Sequence, residues 1–272
     1  MNKLNYFKTR LKLPEIDVSA YLARLELEIE KPSLHFLQKI HRAHLLKIPF
    51  ENLDIHYGKK ITFDIRSTFD KIVSCRRGGL CYELNNLIYH LLNQLGFSVY
   101  PIAARVFEQD HYSPEFDHLA VILEWEDLPY LVDVGFGKCF TLPKMISEKA
   151  QLDYVDYYKF DTDPDGRKVL LHSVDNNRFN PLYRFEMKPR ELIEFLGRCQ
   201  FHQEDPTSRF MQGKLITILT ESGRITLTDR HLKILEKGVT NEYPVLDESE
   251  FLAHLEFHFG LDGRALIHQQ SG

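Results

Sequence analysis

The feature that most constrains this chain is a cysteine that follows two glycines and opens a helical pattern. The run RRGGLCYELN occupies residues 76–85, and from Cys81 to Leu95 apolar residues recur at the i, i+3, i+4 spacing of an amphipathic helix. Gly96 then stands where the C-cap of a helix is expected. The sequence therefore predicts a helix that begins at Cys81 and carries its thiol in the first turn.

A thiol at this position lies in surroundings that favour its reactive form. Unpaired backbone N–H groups give a helix N-terminus a partial positive charge, and Arg76 and Arg77 add positive charge nearby. Both effects favour thiolate over thiol. Gly78 and Gly79 have no side chains that block the approach to the sulfur. The pattern therefore predicts a nucleophilic cysteine and covalent catalysis.

A nucleophilic cysteine needs a base, and the base needs a group that orients it. His118 begins an apolar, strand-like run, and Asp133 lies in the next such run. The two runs predict a hairpin joined through residues 126–128, whose open end would bring His118 and Asp133 into direct or diagonal contact. We therefore expect the Asp133 carboxylate to orient an imidazole beside Cys81.

Each of these three residues also has an ordinary interpretation when it is taken alone. A helical cysteine is usually a small core residue, a strand histidine is usually structural, and an aspartate before Val-Gly is usually a turn residue. The ordered set of Cys81, His118 and Asp133, with Arg-Gly-Gly before the cysteine, favours the catalytic interpretation.

Composition and charge exclude several other classes of protein. The chain has 272 residues, of which 43% are hydrophobic and 27% are charged, as in ordinary globular proteins. Its net charge of −5 argues against a nucleic-acid partner. The longest apolar runs fall well short of the roughly 20 residues of a membrane span, so no membrane partner is expected. Four cysteines without a disulfide framework, and residues 1–6 without a signal-peptide core, favour the cytoplasm.

The pattern of elements predicts an α+β protein in three parts, with boundaries after residues 96 and 200. Residues 1–96 favour helices at 17–29, 33–46, 68–74 and from 81 onward. Residues 97–200 favour strands at 97–106, 118–123, 130–134, 168–172 and 183–187, followed by a helix at 189–196. Residues 201–272 favour a hairpin at 215–219 and 225–227 and a helix at 248–259. Pro101 in the first strand predicts an edge or a bulge.

Two segments have incomplete metal-binding patterns. The run DTDPDG at residues 161–166 begins like a calcium loop, but it contains a proline and has His172 where that loop needs glutamate, so we favour a polar hairpin turn. His254 and His258 share one helix face without an evident third ligand. We therefore expect no metal.

The motifs together resemble the arylamine N-acetyltransferase family. Its Arg-Gly-Gly-x-Cys motif is matched by residues 77–81, its histidine before an apolar strand by His118, and its Asp-x-Gly-Phe-Gly motif by residues 133–137. The run IPFENL at residues 48–53 is similar to a family signature at the edge of the active site. The run PTSRF at 206–210 resembles the entry into the family's last domain. The resemblance spans roughly residues 35–230.

The resemblance implies a fold and a reaction. The fold would be a helical bundle, a central antiparallel β-barrel and a C-terminal α/β lid around a cysteine-protease-like core. The reaction would be ping-pong transfer of an acetyl group from acetyl-CoA, through a thioester on Cys81, to the nitrogen of an arylamine, hydrazine or N-hydroxyarylamine. Such chemistry is typical of xenobiotic metabolism, although a biosynthetic acceptor stays open. The catalytic residues would be Cys81, His118 and Asp133.

The resemblance also implies residues that bind the two substrates. Glu51 and Arg77 are in addition candidates for an ion pair that braces the site, and no pattern indicates an oligomeric state. Residues that would line the acceptor pocket are Phe50, Phe136 and Phe210, residues that would contact CoA are Gly135, Phe136, Gly137 and Ser208, and Lys138 and Phe140 lie where acceptor preference varies among relatives.

Two other functions stay open on the sequence alone. A Cys-His-Asp hydrolase or a transglutaminase-like enzyme uses the same residues for acyl transfer to water or to lysine amines. A non-catalytic descendant would keep the cleft only for binding. The motifs at residues 48–53 and 133–137 favour the acetyltransferase over the first rival, and the complete set of three residues favours it over the second.

Overall fold

Helices form most of the first third of the chain and pack around the helix that begins at Cys81. The computed structural model describes residues 13–137, 140–263 and 266. The helices are α1 (Val18–Arg24), α2 (Leu34–Lys47), α3 (Leu53–His56), α4 (Ile65–Phe69) with a π-helical turn at Asp70–Ser74, α5 (Cys81–Gln94), α6 (Leu196–Glu204) and α7 (Glu248–Phe259), with 3₁₀ turns at Leu192–Phe195 and Arg209–Met211.

Capping residues explain where these helices begin and end. The Ser33 side chain accepts a backbone hydrogen bond at the start of α2, and Gly260 ends α7 in the left-handed conformation, as predicted. Helix α1 is shorter than the predicted 17–29, because the backbone turns at Glu26, where φ is 60°. The helix predicted at 189–196 begins later and continues to Glu204.

The remaining elements are strands, which form two antiparallel sheets. The strands are β1 (Phe50–Glu51), β2 (Ser98–Glu108), β3 (His111–Tyr112), β4 (His118–Trp125), β5 (Leu128–Val132), β6 (Lys144–Met145), β7 (Gln151–Asp153), β8 (Asp156–Thr162), β9 (Lys168–Ser173), β10 (Asn180–Phe185), β11 (Leu215–Thr220), β12 (Gly223–Thr228), β13 (His231–Glu236) and β14 (Val239–Pro244).

The larger sheet is barrel-like. Its strands follow the order β6-β5-β4-β2-β10-β9-β8-β7, and β3 pairs with β2. The Gln151 side chain hydrogen-bonds to both the backbone N–H and the carbonyl of Met145, which joins the two edge strands β6 and β7. The predicted α+β class with an antiparallel barrel is confirmed.

Strands β2 and β4 are buried on both faces, which fixes the barrel against the helices. Alternate residues of a strand point to opposite faces. Leu119 and Val121 of β4 accordingly join the core of the helical part, whereas Ala120 and Ile122 join the core of the barrel. The hairpin β4–β5 therefore has one rigid position relative to α5.

Pro101 does not mark an edge strand, so that part of the prediction is wrong. Strand β2 lies between β4 and β10. Strand β10 pairs with β2 at Ala104 to Val106, and Pro101 lies beyond this pairing, where the missing N–H takes no bond from β10.

The smaller sheet joins the helical third of the chain to its last third. Its order is β1-β11-β12-β13-β14, so that a two-residue strand from the helical third forms its edge. The hairpin β11–β12 matches the prediction, whereas β13 and β14 were not predicted. Strand β1 belongs to the first predicted part and pairs with β11 of the third part. The division after residues 96 and 200 therefore stays an interpretation. No helix within the described ranges is long and apolar enough to span a bilayer.

Candidate active site

Cys81 is the first residue of α5 and borders a cavity. The turn is closed by the Leu80 N–H, which donates to Oε2 of Glu83 at 3.0 Å. The cavity has a volume of about 330 Å³, and both Cys81 and His118 line it. Each of the two residues is only 2–3% exposed, so the reactive groups meet the cavity without facing bulk solvent.

The structure brings His118 and Asp133 together as the sequence led us to expect. His118 begins β4 and Asp133 directly follows β5. Nε2 of His118 lies 2.8 Å from Oδ2 of Asp133. The other ring nitrogen, Nδ1, is left for the hydrogen bond between His118 and Cys81. The three side chains therefore form one chain of contacts from carboxylate to thiol.

Charge stabilises the protonated form of this imidazole. Burial lowers the pKa of His118, but the Asp133 carboxylate and the contact with Cys81 outweigh it and raise the pKa to about 10. The imidazole is therefore protonated near neutral pH. Burial alone would raise the pKa of Asp133, whereas the charge and hydrogen bond of His118, with further hydrogen bonds, lower it.

Two residues that the sequence analysis missed also fix Asp133. The Tyr183 hydroxyl of β10 donates to Oδ2 at 2.8 Å. Nδ2 of Asn85 donates to Oδ1 at 2.8 Å and to the Leu119 carbonyl at 2.6 Å. Asn85 follows Cys81 by one helical turn, and this spacing was the signal that could have found it. Tyr183 has no comparable local signal.

His41 of α2 is a third missed residue, and it ties together the two ends of the loop after β5. The Asp133 N–H donates to Nε2 at 3.3 Å, and Nδ1 lies 2.9 Å from the Thr141 carbonyl. Burial lowers the pKa of His41 to about 4, so the ring is neutral and can accept through one nitrogen while it donates through the other. His41 therefore holds the loop that carries Phe136.

Close packing explains why two positions of this loop are glycine. A Cβ added at Gly135 would lie 2.7 Å from the Cα of Cys81. Gly137 adopts a φ of +79°, which side chains disfavour, and an added Cβ there would contact the Phe50 ring. The loop can therefore cross the start of α5 closely. Both glycines border the cavity.

Close packing also explains the two glycines before Cys81. We had expected them to leave the sulfur open to a substrate, which is a different reason. A Cβ at Gly78 would lie 2.0 Å from the Pro49 carbonyl oxygen, and one at Gly79 would lie 2.6 Å from Glu83. The Glu51 N–H donates to the Gly79 carbonyl at 3.0 Å. These glycines therefore admit the neighbouring chain of residues 49–51.

Arg77 braces the site through ion pairs and does not supply free positive charge beside the thiol. Its guanidinium binds Glu51 at 2.7 and 3.0 Å and Asp54 at 2.8 Å, and all three residues are buried. Lys71 bridges Asp54 and Glu83, each at 2.8 Å. The predicted Glu51–Arg77 pair is thus present, and the positive charge that we placed near Cys81 is neutralised by pairing. Arg76 is exposed.

The predicted acceptor-binding phenylalanines all border the same cavity. Phe50 and Phe210 lie 6.0 Å apart between ring centroids, and Phe136 lies 5.3 Å from the His118 ring. The sequence analysis missed several further lining residues, because they come from the C-terminal sheet and the turn before it. These are Arg209, Leu215, Thr217, Arg224 and Thr226.

Ser208, which the resemblance assigned to CoA, is buried beside His202 and does not border the reaction cavity. Its side chain is 1% exposed, and Oγ lies 3.0 Å from Nδ1 of His202. Nε2 of His202 in turn lies 2.9 Å from Oδ1 of Asp117. The described residues that line the cavity do not include Ser208.

Phe140 and Lys138 complete the predicted set. Phe140 is fully buried and stacks on His41, with 5.5 Å between ring centroids. Lys138 lies outside the described residues. Within the described part of the chain, no cluster of three or more His, Cys, Asp or Glu side chains is arranged to hold a metal ion.

Known proteins resemble this chain over most of its length. Residues 33–265 match a family model described as N-acetyltransferase. A pineal gland isozyme of arylamine N-acetyltransferase from Gallus gallus is 33% identical over 230 residues, which cover 76% of this chain and 79% of that protein. Among solved structures, the Mycobacterium marinum arylamine N-acetyltransferase in complex with CoA has a TM-score of 0.82 and 29% identity, and covers 92% of this chain and 94% of its own.

A second solved structure has a related arrangement of residues. The Bacillus cereus arylamine N-acetyltransferase has a TM-score of 0.84 and 25% identity, and covers 91% of this chain and 99% of its own. It is described as having a unique Cys-His-Glu catalytic triad.

Proposed function

This chain belongs to the arylamine N-acetyltransferase family, and we propose that it transfers an acetyl group from acetyl-CoA to the nitrogen of an arylamine, arylhydrazine or N-hydroxyarylamine. The observation that carries the proposal is the cavity bordered by Cys81 and His118, with Asp133 2.8 Å behind the imidazole. A relative of known structure binds CoA, which supports acetyl-CoA as the donor.

In the first half-reaction, Cys81 attacks the carbonyl carbon of acetyl-CoA as the thiolate of an imidazolium–thiolate pair with His118. A sulfur–carbon bond forms to Cys81, the bond to the CoA sulfur breaks, and protonated His118 gives its proton to the leaving CoA thiolate. The tetrahedral intermediate carries a negative oxygen, and the backbone N–H of Cys81 at the start of α5 is the donor that we assign to it. The product is acetyl-Cys81 and free CoA.

In the second half-reaction, the amine nitrogen attacks the thioester carbonyl of acetyl-Cys81. A nitrogen–carbon bond forms, the Cys81 sulfur leaves as thiolate, and neutral His118 takes the proton of the amine. This returns the imidazolium–thiolate pair that began the cycle. Asp133 keeps the ring oriented through both steps.

The cavity walls suit the two proposed substrates. Phe50, Phe136 and Phe210 provide aromatic surface for a flat aryl ring. The backbone of Gly135 and Gly137, which has no side chains in front of it, lets the acetyl end of CoA approach Cys81. Neither half-reaction involves a metal.

We also infer a cytoplasmic setting and a role in the metabolism of foreign aromatic amines. The mechanism needs a reduced thiol, which a cytoplasm maintains. Cys75, Cys81 and Cys199 are free, which supports such a setting. The three-part organisation, with a helical part at 1–96, a barrel part at 97–200 and a lid part at 201–272, belongs to the same proposal.

Mass spectrometry of the protein after incubation with acetyl-CoA, without any acceptor, tests the proposal. We expect one acetyl group, on Cys81, in the wild type and none in Cys81→Ala. The matched control is Cys75→Ala, which removes an exposed cysteine and should still acquire the group. Steady release of free CoA with no lasting adduct would contradict the proposal and favour a hydrolase.

A further inference from the structure

A second, larger cavity adjoins the reaction cavity. Its volume is about 640 Å³, within the range of small-molecule sites. Phe136 and Arg224 border both cavities, so the two share a wall. The cavity lies between the barrel and the β11–β12 hairpin, to which Leu182 and Leu219 respectively belong.

Most of the surface that lines this second cavity is apolar, although charged residues also border it. Several of its charged groups are neutralised within the wall, because Arg42 pairs with Glu221, and His172 lies 3.1 Å from Asp156. Asp153 likewise binds Lys144 at 2.5 Å. The apolar and aromatic side chains that line it are Phe136, Tyr154, Val155, Tyr158, Leu182, Leu219 and Leu235.

Tyr154 borders the second cavity from a turn of unusual backbone conformation, and its hydroxyl donates to the Glu221 carbonyl at 3.4 Å. It occupies the turn between β7 and β8 with a φ of 57°, where glycine or asparagine is usually preferred. Its side chain is 65% exposed, as is that of the neighbouring Val155. An aromatic ring at a strained, exposed turn adds surface to the cavity at some cost to the backbone.

The two side chains that border both cavities are held in place by their neighbours. Arg224 donates to the Gly137 carbonyl and to Oγ1 of Thr217. The Phe136 ring lies 5.3 Å from that of His118 and 5.1 Å from that of Tyr183. A molecule that extends from Cys81 past these two side chains therefore meets a preformed aromatic surface.

We propose that this second cavity binds the distal aromatic group of an elongated acceptor while its amine lies at Cys81. The proposal rests on the proposed acetyl transfer. A flat neutral ring matches the apolar part of the wall, and Arg42, His172 and Asp153 already have charged partners there. The phosphates of CoA would have to compete with these ion pairs. The enzyme would thus select two-ring arylamines over single-ring ones.

The test compares two acceptors, para-benzyloxyaniline with two rings and para-toluidine with one. In ping-pong kinetics, kcat/KM for an acceptor reports only the second half-reaction, and kcat/KM for acetyl-CoA reports only the first. We expect wild type to prefer the two-ring acceptor about tenfold in kcat/KM. Leu219→Trp, which fills the second cavity, should remove this preference.

Tyr154→Gly provides a second variant, because the residue is exposed and its φ suits glycine. It should lower the preference in the same direction. The matched control is Leu152→Gly, since Leu152 is 59% exposed in the same hairpin and is not among the described residues that line the cavity. It should keep the wild-type preference.

Three outcomes would overturn the proposal. The first is an unchanged preference in folded Leu219→Trp, and the second is an equal loss for both acceptors. The third is a loss confined to kcat/KM for acetyl-CoA, which would assign the cavity to the adenosine end of the donor. Failure of the proposed function itself would be recognised separately, because wild-type protein would then form no acetyl-Cys81.

Discussion

Two fully buried carboxylate–histidine pairs in the described part of the chain have nearly the same geometry, and comparison of them shows what makes one reactive. In the first, Asp133 binds Nε2 of His118 at 2.8 Å, and in the second, Asp117 binds Nε2 of His202 at 2.9 Å. The first imidazole faces the Cys81 thiol, and the second lies 3.0 Å from the Ser208 hydroxyl. Asp117 and His118 are adjacent in the chain.

The surroundings of the two sets differ in access and in charge. Cys81 and His118 border the reaction cavity, whereas Ser208 is sealed and caps the 3₁₀ turn that carries Phe210. Burial opposes ionisation of Asp117, but His202 and Arg198, with Arg209, hold the pKa of its carboxyl well below the usual range. The sealed set therefore fastens α6 and the Phe210 turn to the start of β4. A triad-like arrangement can catalyse a reaction only where a substrate can reach it.

The largest difference between the two sets is expected when the Cys81 thiol or the Ser208 hydroxyl is removed. Cys81→Ala should abolish transfer, because no thioester can form. Ser208→Ala should keep an acetylation rate close to wild type and lose about 1 kcal/mol of stability, as expected for a lost helix cap. Rapid-quench acetylation and urea denaturation measure the two effects. A raised KM for acetyl-CoA in Ser208→Ala would instead favour the predicted donor contact.

The matched carboxylates give the next largest contrast. Asp133→Asn should lower kcat by up to about 10⁴-fold with the fold retained, because the imidazole loses its orientation and charge partner. Asp117→Asn should mainly lower stability, because its partners Arg198 and His202 become unpaired. Circular dichroism and steady-state kinetics on both variants measure these effects. Equal losses of kcat would show that the two carboxylates do not have the different roles assigned here.

A smaller effect is expected at His41, which supports the first set from behind. His41→Leu removes the contacts to Asp133 and Thr141, so the loop should shift and kcat should fall about 10- to 100-fold. His41→Gln keeps a donor and an acceptor and should recover part of this loss. Recovery in stability without recovery in kcat would show that His41 serves folding alone.

The last contrast concerns the pH dependence of stability. The folded pKa of His118, about 10, lies above the unfolded value of about 6.5. Its contribution is therefore complete below pH 6.5 and is lost as the pH rises toward 10. The pKa of Asp117 is lowered, so its contribution is present above about pH 4 and is lost as the pH falls further.

Urea denaturation across pH checks both signs. Asp133→Asn should flatten the decline on the alkaline side, because His118 loses the carboxylate that raises its pKa. Asp117→Asn should flatten the decline on the acid side and leave the alkaline side unchanged. An alkaline decline of wild-type steepness in Asp133→Asn would contradict the assigned cause of the His118 shift.

Elements with clear boundaries in the sequence were predicted well. Helix α5 has a glycine turn before it and Gly96 after it, and α7 has Asp247 as its cap and Gly260 at its end. Strands β13 and β14 were missed because most of their residues are exposed. Polar and charged residues therefore interrupt the alternation of apolar and polar residues that predicts a strand. The overlong prediction for α1 followed apolar periodicity past the turn at Glu26.

In the candidate site, the sequence order indicated the residues that react but not those that position them. Cys81, His118 and Asp133 lie at the ends of helices or strands, where the hydrophobic periodicity of the sequence changes. Tyr183 and His41 reach Asp133 from 50 and 92 residues away, and nothing in the chain marks that approach. Glycines 78, 79 and 135 were noticed, but the neighbours that require them belong to other segments.

Strand β1 has a consequence for how the protein is made. Its partner β11 lies far along the chain, so that during synthesis residues 50–51 have only their bridge to Gly79 until the last sheet emerges from the ribosome. One wall of the reaction cavity consists of Phe210, Leu215 and Arg224, which are also made late. The thiol is therefore present early in translation, but the reaction cavity is complete only after the residues up to Thr226 have emerged.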